Sequence, residues 1–230
     1  TDNSYGITYY QTLELTLQVN QGILDERKTS EYARVVLALS ALGKDARDVA
    51  GFDLVAPLLD YNQVVWQGVN GPIFALLALD SGNYGDNAIR NSYLDYLLGQ
   101  QLADGGWALA GNKADPDTTA MALQALAKYQ NRDEIKAAIE QGLACLSTMQ
   151  NSDAGFSGWQ EANSESVSQV IIALGELGID IDDSRFVKGG RTMADALLSF
   201  YEQGQGFRHA STDTETDLMS SEQAFCALVS

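Results

Sequence analysis

Long apolar runs and basic side chains are both scarce in this chain of 230 residues. The longest purely apolar run covers residues 73–79, whereas a helix needs roughly 20 such residues to cross a bilayer. Asp and Glu outnumber Lys and Arg by 31 to 14, and the net charge of −17 argues against binding to nucleic acid phosphates. We therefore expect no membrane insertion and no nucleic acid partner.

Cysteine, proline and histidine are also few, and each shortage excludes a class of structure or chemistry. The two cysteines, Cys145 and Cys226, give no disulfide framework, and both lie in apolar helical patterns, so we predict small core residues. Only three prolines are present, and they stand where helices can begin or end, which excludes proline-rich disorder. The single histidine, His209, leaves little for a histidine-dependent nucleophile.

Five similar apolar segments recur along the chain. Each contains an Ala-Leu pair, at intervals of 40 to 54 residues, and such a period is typical of a repeat architecture. The alanines of these pairs are Ala38, Ala78, Ala125, Ala173 and Ala227. Because the segments are apolar nearly all round, we predict inner helices that pack on both sides.

Segments with a single apolar stripe lie between the inner helices. Ile135, Ile139 and Leu143 recur at four-residue steps, residues 89–97 carry a similar stripe, and residues 9–19 are expected to be a further outer helix. No alternating run of strand length competes with these patterns. The sequence thus predicts a single all-α domain over residues 1–230, built from helix pairs in an open superhelix or a closed ring.

Glutamine and an aromatic residue recur in the turns before three inner helices. The turn QLADGGW, which ends at Trp107, fits the pattern Q-x-x-x-G-x-W, and QNSDAGF and YEQGQGF are progressively weaker copies that end at Phe156 and Phe207. These turns resemble the Gln-Trp motif of squalene and oxidosqualene cyclases. With the segment DPDTTAMALQAL, the whole chain resembles the prenyltransferase and squalene-cyclase repeat superfamily.

That resemblance implies an α/α toroid, in which inner helices surround a central cavity and outer helices surround them. A full ring has about six inner helices and five are found here, so we expect a partial ring and a fragment of a larger multidomain chain. Residues 64–84 and 164–178 are most similar to secreted or cell-wall proteins of Gram-positive bacteria with prenyltransferase-like repeats. An extracellular or cell-surface location follows from this similarity, not from the composition.

The same resemblance implies a noncatalytic domain that binds a small molecule or a cell-surface component, or a purely structural spacer. Cobalamin carriers share the toroid, so cobalamin is one candidate ligand, although a second domain closes over the ligand in those carriers. No other cofactor is expected. The oligomeric state is left open.

An enzymatic alternative depends on the segment from Asp115 to Ala120. In class II terpenoid cyclases the central Asp of D-x-D-D-T-A is a Brønsted acid; Asp117 takes its place and Asp115 that of the first carboxylate, but Thr118 replaces the third. The resemblance then implies a cyclase-like enzyme with Asp117 as general acid. The competing interpretation makes Asp117 a helix cap and Asp115 a solvated loop acid, because polar residues begin the other inner helices too.

A zinc protein prenyltransferase is disfavoured by the same segment. Such a site needs three protein ligands, yet Thr119 stands where the thiolate is needed and His209 precedes its expected helix, so we expect no metal. Trp66 and Trp159, near inner-helix starts, are candidates for the rim of a ligand cavity. Trp107 is a further ligand-binding candidate, although a wedge between adjacent units explains it more simply.

Overall fold

A computed structural model describes residues 4–158 and 161–230. Over these residues the chain is mainly helical, as expected, with ten α-helices and two small two-stranded sheets. None of the described helices is both long enough and apolar enough to span a membrane. The chain divides into two compact units, of which the first ends at Gly99 and the second runs from Gln100 to Ser230.

The first unit contains five α-helices and one short 3-10 helix. Its α-helices are α1 (Ser4–Val19), α2 (Thr29–Ala41), α3 (Tyr61–Val65), α4 (Asn70–Ser81) and α5 (Asn87–Gly99), and the 3-10 helix is Ala56–Leu59. Helix α4 packs against both α2 and α5. A buried ion pair joins α4 to α5, with 2.8 Å between Arg90 Nε and Asp80 Oδ1. This unit thus contains two predicted inner helices and two predicted outer helices.

The second unit contains the other five α-helices and both sheets. Its helices are α6 (Pro116–Ala127), α7 (Asp133–Met149), α8 (Ser164–Leu177), α9 (Met193–Leu198) and α10 (Leu218–Val229). Its strands are β1 (Ser157–Gly158), β2 (Glu161–Ala162), β3 (Tyr201–Glu202) and β4 (Gly206–Phe207), which form two antiparallel hairpins. Helix α8 packs against α6 and α10, while α7 packs against α6 and α9 against α8. The two hairpins and the short helices α3 and α9 were not predicted from the sequence.

The glutamine of the repeated turn ties that turn to the following part of the chain. Gln101 Nε2 donates to the carbonyl of Gly105 at 2.7 Å and to that of Ala138 in α7 at 2.9 Å. Gln150 repeats both bonds, at 2.9 Å to the carbonyl four residues later and at 2.8 Å to that of Phe186. The glutamine therefore links neighbouring repeats through backbone acceptors, which explains why it recurs with the turn.

The aromatic residue of the same turn fills the core. Trp107 and Phe156 are fully buried and Phe207 is almost so. A Cβ atom added at Gly142 of α7 would lie 3.1 Å from the ring of Trp107, so the absence of a side chain there makes room for the indole. The wedge interpretation of Trp107 therefore agrees with its burial.

Helices α6, α8 and α10 begin with the same cap geometry. The side chains of Asp115, Asn163 and Asp217 each accept a hydrogen bond from the backbone N–H three residues later, at 2.8 to 2.9 Å. Such a bond satisfies a backbone donor that the helix itself leaves open. At the start of α2, Lys28 makes no side-chain cap bond, so this inner helix begins without a side-chain cap.

The two cysteines are free and differ in exposure. Cys145 is buried in α7, as predicted. Cys226 is exposed on α10, so the prediction of a core residue is wrong at that position. Ala224 and Ala227 form the buried side of α10, and Cys226 falls outside it.

Candidate functional site

Asp117 lies in the first turn of α6 and does not cap it. The cap is Asp115, whose backbone is extended (φ −118°, ψ 153°) and whose carboxylate accepts from Thr118 N at 2.8 Å. The predictions of a cap at Asp117 and of a solvated loop acid at Asp115 are therefore wrong, because only the residue before the first helical turn has the backbone geometry of a cap. Asp117 Oδ1 is buried and accepts no hydrogen bond from any described residue.

Burial raises the pKa of Asp117 above the ordinary value of an aspartate. The adjacent hydroxyl of Ser166 lowers this pKa, although Ser166 Oγ makes no hydrogen bond of standard geometry to a described residue. The charges of Asp115 and Glu165 raise it further, and His209 opposes them. The result is a carboxyl group that takes up a proton more readily than an exposed aspartate does.

A cavity of about 500 Å³ opens beside Asp117. Its wall is formed by the first two turns of α6, the loop before that helix and strand β1. Leu109 and Met121 contribute apolar surface, while Lys113 and Asp117 contribute charged groups of opposite sign. Cavities of about 300 to 1,000 Å³ that combine apolar walls with a few polar groups are typical of small-molecule sites.

Gly158 of β1 lies directly against the carboxyl of Asp117. A Cβ atom added at Gly158 would be 2.9 Å from Asp117 Oδ2 and 2.7 Å from Ser166 Oγ. Only a residue without a side chain allows β1 to approach the carboxyl this closely. The next residue, Trp159, lies outside the described residues, so its predicted place at the cavity rim stays a prediction.

Glu165 occupies in α8 the position that Asp117 occupies in α6, two residues after the cap. Its carboxylate is buried, accepts from Ser220 Oγ at 2.6 Å and lies 2.8 Å from His209 Nδ1. Sequence reasoning did not single out Glu165 or Ser220. Two signals were available: the equivalent spacing after a capping residue, and the single histidine of the chain.

The three predicted tryptophans differ in their surroundings. Trp107 has no exposed surface, which favours the wedge interpretation, and a ligand contact there stays a prediction. Trp66 in the first unit is 62% exposed, and its ring lies 5.9 Å from the guanidinium carbon of Arg27. Trp66 borders a surface groove together with Glu26 and Gln63. An exposed ring in a groove keeps Trp66 available for ligand contact.

Thr119, at the position where a zinc prenyltransferase carries its thiolate, holds the preceding turn. Its Oγ accepts from Trp107 N at 3.0 Å and lies 3.2 Å from the carbonyl oxygen of the same residue. Within residues 4–158 and 161–230, no group of three or more His, Cys, Asp or Glu side chains is placed to hold a metal ion. Thr119 thus has a structural role.

Comparisons with protein-family models, with curated proteins and with solved structures gave no match to this chain. The resemblance to the prenyltransferase and squalene-cyclase superfamily therefore stays a prediction from the sequence. The features of the described residues that bear on function are the cavity beside Asp117 and the buried oxygen of its carboxyl group.

Proposed function

We propose that this chain is a small-molecule-binding domain and that Asp117 contacts the ligand in the cavity at the start of α6. One observation carries the proposal: Asp117 borders the cavity, yet its buried Oδ1 has no partner among the described residues. A buried polar atom without a partner costs about 1–3 kcal/mol. Rotation of the carboxyl group would turn this oxygen toward the cavity, where a hydrogen bond to a ligand group would remove this cost.

The lining defines the chemistry of the ligand. A protonated Asp117 donates a hydrogen bond and an ionised one accepts, while Lys113 offers a cation at the same cavity. Leu109 and Met121 offer apolar contact. A partly apolar molecule with a hydroxyl, amide or amine group fits this combination. Cobalamin is larger than the cavity, so only part of it would enter, and it serves as one probe among several.

The toroid and the extracellular or cell-wall location belong to the same proposal. Support for a toroid comes from the repeated pairing of helices, with α7 against α6 and α9 against α8, while α8 also packs between α6 and α10. The location is supported by the sequence resemblance alone. A noncatalytic binding role agrees with both.

A second candidate function, acid catalysis of isoprenoid cyclisation, is favoured by the raised pKa of Asp117. Protonation of an alkene needs an acid that keeps its proton near neutral pH. Cyclases also stabilise carbocations with aromatic ring faces, and no aromatic side chain is among the described residues that line this cavity. Binding without catalysis therefore agrees better with the described lining.

Native mass spectrometry tests both functions with four probes: cyanocobalamin, geranylgeranyl diphosphate, squalene and muramyl dipeptide. For whichever probe binds wild type, we expect Asp117→Asn to weaken binding at least tenfold. The control Glu134→Gln changes an exposed carboxylate of α7 that does not line the cavity, and it should bind as wild type. Equal binding by wild type and Asp117→Asn would place the ligand elsewhere. A cyclic isomer has the same mass as geranylgeranyl diphosphate, so chromatography of the products tests the second candidate. Conversion by wild type but not by Asp117→Asn would establish it.

A further inference from the structure

Glu165 and His209 form a polar cluster that the proposed binding function does not use. Glu165 is 9% exposed, and its two carboxylate oxygens have different partners. Oε1 accepts from Ser220 Oγ at 2.6 Å, and Oε2 lies 2.8 Å from His209 Nδ1. A carboxylate in the first turn of a helix is further favoured by the helix dipole. Glu165 thus contacts Ser220 through one carboxylate oxygen and His209 through the other.

The loop that carries His209 is fixed to the start of α8 on both sides of the histidine. Ser164 N donates to the backbone carbonyl of His209 at 3.0 Å, and Ser164 Oγ donates to that of Arg208 at 2.8 Å. Ala210 N donates to Asp213 Oδ2 at 2.8 Å. The two bonds from Ser164 hold the backbone of His209 beside the start of α8.

The position of Glu165 also determines the tautomer of the ring. An ionised carboxylate only accepts hydrogen bonds, so His209 presents Nδ1–H to it and carries the lone pair of the neutral ring on Nε2. About half of the His209 side chain is exposed (49%), and Nε2 bonds to no described residue. A lone pair on a partly exposed nitrogen, with a buried carboxylate behind the ring, is the arrangement of a general base.

We propose that His209 and Glu165 form a proton-transfer dyad in which His209 Nε2 is a general base toward water, with simple carboxylic esters as the substrate class. Nε2 removes a proton from water while the water oxygen bonds to the ester carbonyl carbon. The bond from that carbon to the alkoxide oxygen then breaks, and the imidazolium returns its proton to the alkoxide. The products are a carboxylic acid and an alcohol, and Glu165 stabilises the imidazolium in between.

The charged groups near the dyad lie on three helices and on the loop that carries His209. Besides Glu165 on α8, the carboxyl groups of Asp217 at the start of α10 and of Asp117 on α6 interact electrostatically with His209. Arg208, the adjacent loop residue, is the nearest opposing charge in sequence. Negative groups from three helices thus outnumber it.

Because His209 is the only histidine, its signals can be assigned without ambiguity. In nitrogen-15 histidine spectra of the wild-type chain at pH 8, we expect the Nδ1–H tautomer. Hydrolysis of p-nitrophenyl acetate should be at least tenfold faster in wild type than in His209→Gln. Glu165→Gln should lose activity similarly, because its amide donates to Nδ1 and moves the ring proton to Nε2. The control Glu161→Gln, a nearby exposed carboxylate that does not contact His209, should keep the wild-type rate.

Two results on the wild-type ring would overturn the dyad whether or not Glu165→Gln folds. One is an Nε2–H tautomer in the wild-type spectrum, and the other is equal ester hydrolysis by wild type and His209→Gln. If Glu165→Gln shows the circular dichroism of the folded chain and keeps both the wild-type rate and the wild-type tautomer, Glu165 does not position the base. The Asp117 cavity is tested separately, so either proposal can fail without the other.

Discussion

Asp117 and Glu165 stand at the same position in two neighbouring helices, two residues after the cap, but their carboxyl oxygens have different partners. Glu165 bonds to Ser220 and His209, whereas Asp117 Oδ1 has no partner among the described residues. In α10 the corresponding residue is Met219, so the helix start does not require a carboxylate there. The acid at Asp117 is therefore explained better by the cavity beside it than by helix formation.

The division of roles between Asp115 and Asp117 predicts different effects on stability. Asp115→Ala should lower the free energy of unfolding by about 1 kcal/mol, because the N–H of Thr118 loses its acceptor. Asp115→Asn should be close to wild type, since asparagine caps equally well. Urea denaturation followed by circular dichroism measures both changes. A larger loss in Asp117→Ala than in Asp115→Ala would mean that Asp117 supports the helix start after all.

The raised pKa of Asp117 predicts a specific pH dependence of stability. The folded chain binds this proton more tightly than the unfolded chain, so the stabilisation is complete below the unfolded pKa and is lost as pH rises through the folded pKa. Asp117→Asn removes the buried charge and should exceed wild type at pH 7 by about 0.5–2 kcal/mol. This advantage should shrink toward pH 4.

Asp183 provides a control for that experiment, because its pKa is lowered and not raised, so its effect on stability changes with pH in the opposite direction. Hydrogen bonds from Arg185 lower the pKa of Asp183 to about 2. Its contribution to stability is therefore present above the unfolded pKa and is lost as pH falls, and Asp183→Asn should be less stable than wild type at pH 7. Thermal denaturation between pH 2 and pH 8 measures both variants, because the contribution of Asp183 is lost only as pH falls from about 4 toward the folded pKa of about 2. A stability difference between Asp117→Asn and wild type that does not change with pH would contradict the assignment of a raised pKa.

Much of the helical framework was predictable because helices impose a local period on the sequence. All five predicted inner segments are helices, as are the stripes around Ile135 and residues 89–97. The hairpins were missed because each strand has only two residues, which is too short for an alternating pattern. Whether the helices close into a toroid depends on contacts far apart in sequence, which periodicity does not encode.

The candidate site was predictable only in part, for the same physical reason. The segment around Asp117 was found because its residue types match a known acid motif. The choice of cap was wrong because capping depends on backbone angles, and Asp115 and Asp117 have similar local sequence surroundings. The pairing of Glu165 with His209 was missed because the two residues lie 44 positions apart.

Because Trp107 is buried and Trp66 is exposed, replacing them by alanine should change the free energy of unfolding by very different amounts. Trp107→Ala should cost about 3–5 kcal/mol, because it empties a fully buried site against Gly142 and removes the wedge of the repeat. Trp66→Ala should change stability by no more than about 0.5 kcal/mol, since the ring is mostly exposed. Chemical denaturation of each variant measures this. Comparable losses in the two would contradict the burial of Trp107.

We expect the glutamine of the repeated turn to stabilise the two turns that contain it, and no such contribution in the third turn, which begins with Tyr201 instead. Gln101→Ala and Gln150→Ala should each lose about 1–3 kcal/mol, because each leaves two backbone carbonyls without their donor. Tyr201 stands in the glutamine position of the third turn and is 41% exposed, so Tyr201→Phe should stay within about 0.5 kcal/mol of wild type. Urea denaturation compares the three variants. Wild-type stability in Gln150→Ala would mean that the turn is held by its buried aromatic residue alone.

Gly158 offers a direct test of the cavity, because the atom that alanine adds would meet the proposed ligand-binding group. Its Cβ would be 2.9 Å from Asp117 Oδ2, so the carboxyl must shift from its position beside the cavity. Gly158→Ala should therefore weaken binding at least tenfold in native mass spectrometry, measured with whichever of the four probes binds wild type. Gly99→Ala is the matched control, since a Cβ there meets no atom within 4 Å. If Gly158→Ala binds as tightly as Gly99→Ala, the ligand does not reach the Oδ2 side of Asp117, and the site must be sought on another part of the second unit or at Trp66.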